Sequence, residues 1–280
     1  MSETSRVLSP SSACRVLVFG AHPDDAEFFA GGLLHQHRSK KSQIRLISVT
    51  NGQSGHHQLS SDVLVIRRRQ EAQESGQVLG AEYICWDYPD GSLQPSLQVR
   101  ESIIREIRLF QPDLVLTHRP WDYHPDHRAV GQAVQDASYM VMVPKIVPGY
   151  AVPKREPVVA YMADLFTRPV PFRSDFVLDA SEHLDGVLKM LACHRSQFAE
   201  WIPWIERVEG MPTDPIAWKA WFRLFFLEKI APRAARFWNL DWGKPPEFVE
   251  AFEVSEYAGR LSSELQQHLF PGCRSVRQGS

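Results

Sequence analysis

Four short runs of β-branched and aromatic residues alternate with three longer stretches of helical spacing between residues 15 and 117. No other feature of the chain restricts its fold as much, because such alternation is satisfied by a parallel sheet with helices laid across it. Arg15 to Phe19 (RVLVF), ending at Gly20, and Gln43 to Val49 (QIRLISV), closed by Thr50-Asn51-Gly52, read as buried strands. Glu82 to Trp86 and Leu114 to Thr117, the latter set off by Pro112, complete the set. The spacing predicts helices over Phe28 to Arg38, Ser61 to Leu79 and Ser96 to Phe110. In the second, Val63, Ile66 and Val78 are among the apolar positions and Gly80 is the C-cap. In the third, Ser96 caps a stripe of Ile103, Ile104, Ile107 and Phe110. Open sheets of this kind bind ligands outside the carboxyl ends of their strands, and those ends are where chemistry is to be sought.

Beyond residue 140 the signal is weaker. Met140 to Pro157 reads as an extended connection, followed by strands near Val158 to Ala163 and Phe176 to Leu178 and a helix from about Glu182 to His194. Phe198 to Trp242 holds six of the eight tryptophans. The fold class expected is α/β: a Rossmann-like, doubly wound, mostly parallel sheet with helices on both faces. An aromatic-rich helical C-terminal extension over about 200 to 250 would form a cap or a subunit interface, so a homo-oligomer is open. One domain over 14 to 280 is expected, its core over about 14 to 200, with residues 1 to 13 disordered. A chain of 280 residues can bury a core without covalent staples. Cys14, Cys85, Cys193 and Cys273 lie far apart with no C-x-x-C pair, and read as core or incidental thiols. With 31 basic against 33 acidic side chains there is no electrostatic footprint for nucleic acid or an anionic bilayer. No apolar run approaches a membrane span and the start lacks a secretory apolar stretch, so a cytoplasmic location is expected.

Against this balanced charge, eleven histidines are the unusual count. Directly after the first strand stands Ala21-His22-Pro23-Asp24-Asp25-Ala26-Glu27, in which Pro23 stiffens a turn that can aim His22 and Asp25 at one point. After the fourth strand stands Thr117-His118-Arg119-Pro120-Trp121-Asp122-Tyr123-His124-Pro125-Asp126-His127, ahead of a helix to about Ser138. Either cluster alone suits a capped turn, since Asp caps helices and Pro starts them. Two at strand ends in one crevice point instead to a metal. Imidazole and carboxylate suit zinc, and catalytic zinc takes three protein ligands and an open position. Either His124 or His127 could complete the set with His22 and Asp25, leaving a carboxylate and an imidazole for metal-assisted hydrolysis. His35, His37, His56 and His57 read as surface or packing residues and His194 as a packing residue, with buttressing of the site as the alternative, while His118, at a strand end, is open. Arg67-Arg68-Arg69 reads first as a solvated helix face.

These motifs identify a resemblance. AHPDD at 21 to 25 and HPDH at 124 to 127 resemble those of the LmbE-like, or PIG-L, superfamily of zinc-dependent N-acetylglucosaminyl deacetylases. Arg68 with Glu71, the Asp90-Gly91-Ser92-Leu93 turn, and Lys189 ahead of His194-Arg195-Ser196-Gln197 support it over about residues 14 to 200. The resemblance implies that His22, Asp25 and His127 bind Zn2+, with Fe2+ also acceptable to such donors. It implies Asp24 as general base, His124 as carbonyl polariser or general acid, Asp126 as a residue orienting a site histidine, and Arg68 as a substrate contact. Asp122 stands where some members carry a tyrosine, with Tyr123 adjacent, and Ala26 displaces the common glutamate to position 27, which receives no role here.

The function expected is removal of an N-acetyl group from a small N-acetylglucosamine-type substrate, with neither nucleic acid nor a transmembrane segment involved. Two alternatives stand beside it: an amidase for a larger thiol-conjugate or non-sugar amide, and a non-catalytic metal- or sugar-binding module. A dinucleotide enzyme is disfavoured, because HPDD occupies the turn where G-x-G-x-x-G would be needed.

Overall fold

The computed structural model describes residues 13–229 and 232–276. The disorder expected for residues 1 to 13 therefore falls, except for Ala13, outside the described residues. One eight-stranded sheet draws on nearly the whole of the described chain. Its strands are β1 (Arg15–Gly20), β2 (Gln43–Thr50), β3 (Glu82–Tyr88), β4 (Leu114–Thr117), β5 (Val158–Met162), β6 (Phe176–Asp179), β7 (Val249–Val254) and β8 (Arg274–Ser275), in the order β3-β2-β1-β4-β5-β7-β6-β8. The first five pair in parallel, and β7, β6 and β8 continue the sheet antiparallel.

The helices are α1 (Asp25–Ser39), α2 (Ser61–Leu79), α3 (Leu97–Phe110), α4 (Pro125–Met140), α5 (Leu184–Leu191), α6 (Ile202–Ile205), α7 (Pro215–Lys229), α8 (Pro232–Ala235) and α9 (Ser263–Leu269). A π-helical turn, Ser196–Trp201, leads into α6. Alternate residues of β1 face opposite ways, as a strand's period of two requires. Val16 and Val18 pack with α1, α2 and α5, while Leu17 and Phe19 pack with α3 and α4. Helices thus cover both faces, as expected.

After β1 the chain runs outward through β2 to β3, then returns to place β4 on the other side of β1. The order in which strands are added reverses there, and a crevice opens at the carboxyl ends of β1 and β4, the position where open α/β sheets take ligands. Both histidine–aspartate motifs start at those two ends. No helix among the described residues is long and apolar enough to cross a membrane.

Local signals behave as the sequence predicts in several places. Gly80 caps α2 at φ +71°, the left-handed conformation that glycine adopts at least cost. The Ser96 hydroxyl accepts from the Val99 amide, and Ile103, Ile104, Ile107 and Phe110 of α3 are all buried. The face of α2 is a correction. Val63, Ile66 and Val78 are 51%, 70% and 42% exposed, whereas Leu64, Arg68, Glu71, Ala72, Ser75, Gly76 and Leu79 are buried. The helix turns a mixed stripe inward, in which Leu64, Ala72 and Leu79 are buried apolar residues while Arg68, Glu71 and Ser75 meet polar groups of the crevice and its surroundings.

Candidate active site

Gly20 at the end of β1 is where the site begins. A Cβ there would lie 2.8 Å from that of Asp25, so only glycine lets the following turn fold back this closely. The turn is pinned by the Asp25 carboxylate, whose Oδ2 accepts the His22 amide at 2.7 Å. His118, from the end of β4, adds Nε2 at 3.0 Å from the same oxygen and stacks on the His127 ring with centroids 3.9 Å apart.

Three donors converge. His22 Nδ1 lies 3.2 Å from His127 Nε2 and 3.6 Å from Asp25 Oδ2, and His127 Nε2 lies 3.4 Å from Asp25 Oδ1. An ion about 2.0–2.2 Å from nitrogen and oxygen donors in tetrahedral array sets those donors about 3.3–3.6 Å apart. The three separations are of that size, with the two at Asp25 ending on its two different carboxylate oxygens. His124 is a further member of the cluster, with a ring nitrogen within 4.8 Å of those of His22 and His127.

The nitrogens that face away from this point meet carboxylates. His22 Nε2 is 3.1 Å from Asp90 Oδ1 and 3.3 Å from Asp126 Oδ2. His127 Nδ1 is 3.1 Å from Asp122 Oδ1, an electrostatic contact without the alignment of a hydrogen bond. Carboxylates behind histidines in this way fix the ring orientation and increase the basicity of the forward nitrogen. Asp126 also accepts the amides of Gly91 and Leu93 at 2.7 and 3.1 Å, tying the turn after β3 to α4.

The charges show what the cluster is built for. Burial raises the Asp25 carboxyl, but His127 and His118 beside it outweigh that and hold it well below the usual carboxylate range. Burial lowers His127, while Asp25 and Asp122 pull it up to about 9. Burial likewise lowers His22, and Asp126, Asp25 and Asp90 more than reverse this. Only one proton fits between two imidazole nitrogens 3.2 Å apart, so the surrounding carboxylates call for positive charge that protonated histidines supply poorly. Donor chemistry, spacing and charge here all suit a divalent cation, for which His22, His124 and His127, or Asp25, His118 and His127, lie close enough together, and His22 and His127 also flank Asp25.

Asp24 is the non-glycine residue with the most strained backbone near the site, at φ +131° and ψ −20°. Such conformations cost about 1–3 kcal/mol and persist only where surrounding groups enforce them. Its amide donates to Tyr83 Oη at 3.0 Å, its carbonyl accepts the Phe28 amide at 3.0 Å, and its Oδ2 accepts from Arg68 Nη2 at 3.1 Å. Burial pushes the Asp24 carboxyl up to about 6, against the lowering effect of Arg68.

Arg68 also donates to the Pro23 carbonyl at 2.5 Å and is only 2% exposed. The solvated-face reading of this arginine is therefore wrong: it lies inside, lines the crevice, and supports the turn that carries Asp24. His124 caps α4, its Nδ1 accepting the Asp126 amide at 3.2 Å. That bond places the proton of the neutral ring on Nε2, leaving a donor on the other nitrogen.

Several residues escape sequence reasoning. Asp90 and Asp122 are known only once the fold brings the ends of β3 and β4 beside β1, although Asp90 lies in a glycine turn at a third strand end. Glu27, given no role from sequence, is fully buried with His194 Nε2 2.6 Å from its Oε1 and Tyr83 Oη 3.2 Å from its Oε2. This network stands behind the Tyr83 hydroxyl that holds Asp24, so His194 buttresses the site as well as packing. His37 is buried by contacts to Ser42 and the Leu269 carbonyl, and His56 pairs with Glu200, in keeping with packing roles. The four cysteines are free.

The cluster opens into a cavity of about 1000 Å³. A mostly parallel α/β sheet with a histidine–aspartate cluster at its switch point is a frame able to support metal-assisted activation of water. Residues 17–138 match the PIG-L family model, described as GlcNAc-PI de-N-acetylase, so this segment carries a PIG-L family domain. The chain is 26% identical to diacetylchitobiose deacetylase of Thermococcus kodakarensis, over 69% of this chain and 76% of the relative. It is 24% identical to a probable N-acetyl-α-D-glucosaminyl L-malate deacetylase 2 of Bacillus anthracis, over 72% and 90%. A 4-oxalmesaconate hydratase of Pseudomonas putida is 23% identical over 66% and 74%. Among solved structures, the N,N'-diacetylchitobiose deacetylase of Pyrococcus horikoshii shares the fold at a TM-score of 0.68, with 24% identity over 93% of this chain and 88% of that one.

Proposed function

We propose that the protein is a zinc-dependent hydrolase that removes the acetyl group from an N-acetylglucosamine-type substrate, releasing acetate and a free amine. The observation that carries the reading is the donor triangle of His22, Asp25 and His127, with edges of 3.2, 3.4 and 3.6 Å, opening into a substrate-sized cavity. The deacetylase relatives support the reaction class. His22, Asp25 and His127 would hold the ion, which supplies acidified water and a positive field for the carbonyl oxygen. Fe2+ could replace Zn2+ with the same donors.

Asp24 Oδ accepts the proton of the attacking water. A carboxyl poised near 6 is ionised at neutral pH yet basic enough to be an effective acceptor, which is the compromise general bases require. Arg68 keeps that carboxylate in place and is also open to the substrate. His124 Nε2–H donates a hydrogen bond to the carbonyl oxygen as negative charge gathers there. Asp126 and Asp90 hold the His22 ring, and Asp122 lies behind His127. Water thus adds to the carbonyl carbon, the C–N bond breaks, and the proton held by Asp24 reaches the amine.

Asp24→Asn should reduce kcat by about 10²–10⁴-fold, the usual worth of a general base, while metal content stays that of the parent protein. Acetate release and elemental analysis on the same preparation decide this. Full activity in a metal-loaded variant would remove Asp24 from the mechanism. A second reading, hydration of a carbon–carbon double bond, is favoured by the hydratase relative. It uses the same base and cation, and loss of an unsaturated dicarboxylate's absorbance without acetate release from any N-acetyl sugar would select it.

A further inference from the structure

The cavity at the donor triangle is not uniform. Its polar lining, including His22, Asp24, Asp90 and Arg68, comes from the turns after β1 and β3 and from α2. A second part of the wall comes from the C-terminal elements and is largely apolar: Phe198 and Trp201 of the π-helical turn, Ile202 and Ile205 of α6, and Phe225 of α7, with Glu206 and Lys229 as its charged members. These residues lie outside the 17–138 segment matched by the family model. The two parts belong to one space. From the His127 ring, Phe29 follows at 6.0 Å, Phe28 at 4.9 Å from Phe29, and Phe198 at 6.4 Å from Phe28, each measured between ring centroids.

This wall is left partly open to solvent. Ile205 is 54% exposed and its neighbour Trp204 is 53% exposed, with Trp204 stacked between His57 and Trp201. Apolar surface gathered in a concavity is costly to leave wet, and contiguous exposed patches mark binding sites. An acetylated sugar alone, hydroxylated on all sides, would use little of it.

We infer that the cavity has an apolar acceptor subsite, formed by Phe198, Trp201, Ile202, Ile205 and Phe225, for an aryl or alkyl substituent carried by the N-acetylated sugar. For acetate release this rests on the deacetylase reading, but occupation of the subsite does not. The substrate class is thus an amphipathic N-acetyl glycoside rather than a free amino sugar or a chitin oligosaccharide. Affinity should grow with the substituent, by up to about fourfold per methylene buried.

The test uses the zinc-loaded protein with methyl, butyl, hexyl and octyl β-N-acetylglucosaminides and with diacetylchitobiose. Acetate release gives kcat/KM, and tryptophan fluorescence follows binding of the matching alkyl glucosides, which carry no amide. The expected result is a rise of at least tenfold from methyl to octyl in both series, with diacetylchitobiose no better than the methyl compound. The octyl-to-methyl ratio should fall at least tenfold in Trp201→Ala and in Ile205→Gln. The second substitution is at an exposed position and keeps the test valid if the first impairs folding. Acetate release with a flat series overturns the subsite and leaves the deacetylase reading standing. A rising binding series with no acetate from any compound supports the subsite and overturns the deacetylase reading. A flat series in both readouts overturns the inference.

Discussion

Glu250 on β7 is fully buried, and its only described hydrogen-bond partners are the amides of Gly32 and Leu33, at 2.7 and 2.9 Å. Burial pushes its carboxyl up to about 8, more than the two amides pull it down. In the unfolded chain the same group ionises near 4.5. Between those values the folded state binds the extra proton, so folding stability is fully present below about 4.5 and falls as pH rises towards 8. The slope from this group is at most about 1.4 kcal/mol per pH unit. Glu250→Gln should flatten it, whatever constant offset follows from turning an amide NH2 towards one of the donors. Urea midpoints at pH 5, 6.5 and 8 for both proteins measure the difference, and parallel curves would show that Glu250 ionises normally. Asp24 is a milder case at this scale, a carboxyl raised by burial that a nearby guanidinium only partly offsets. Neither environment is written in the residues adjacent in sequence. Glu250 lies 218 positions from Gly32, and Arg68 lies 44 from Asp24.

At the scale of elements, α2 shows where local pattern and tertiary role part. Its apolar residues Val63, Ile66 and Val78 face solvent, while Arg68, Glu71 and Ser75 face inward, bonded to Asp24, Ser196 and Glu27 respectively. A helix normally buries its apolar stripe because water rejects it, but here polar partners inside satisfy the other stripe. Leu64→Ala, at a fully buried position, should cost about 2–5 kcal/mol. Ile66→Ala, at a 70% exposed one, should stay within about 0.5 kcal/mol of the parent. Chemical denaturation separates the two, and equal losses would mean that the helix is rotated from the orientation described. By contrast α3 obeys its pattern, since its apolar stripe packs on hydrophobic side chains of the sheet and α4, with Arg15 and Arg45 lying over the Phe110 ring.

For the whole molecule, the donor triangle joins α1 to α4 across the crevice, and a cation bound there favours the folded state alone. Free ion at about 1,000 times its dissociation constant would add about 4 kcal/mol of stability. Stripping metal with a chelator should lower Tm, and adding Zn2+ back should restore it. In His22→Ala the chelator should have almost no effect. A chelator shift of equal size in that variant would place the stabilising ion elsewhere.

What the sequence by itself determined is local. The four strands, the caps at Gly80 and Ser96, and the two histidine–aspartate motifs follow from periodicity and turn chemistry within a few residues, where backbone sterics and hydrogen bonding act directly. The place of the motifs at strand ends was legible for the same reason. Only the tertiary structure decided which groups stand behind them: Asp90 and Asp126 at His22, Asp122 at His127, and Glu27 with His194 behind Tyr83. It also decided that the aromatic segment after residue 196 lines the same cavity. These contacts depend on strand order and on which helix face packs inward, set by the summed burial and polar satisfaction of the whole chain rather than by any one stretch of it.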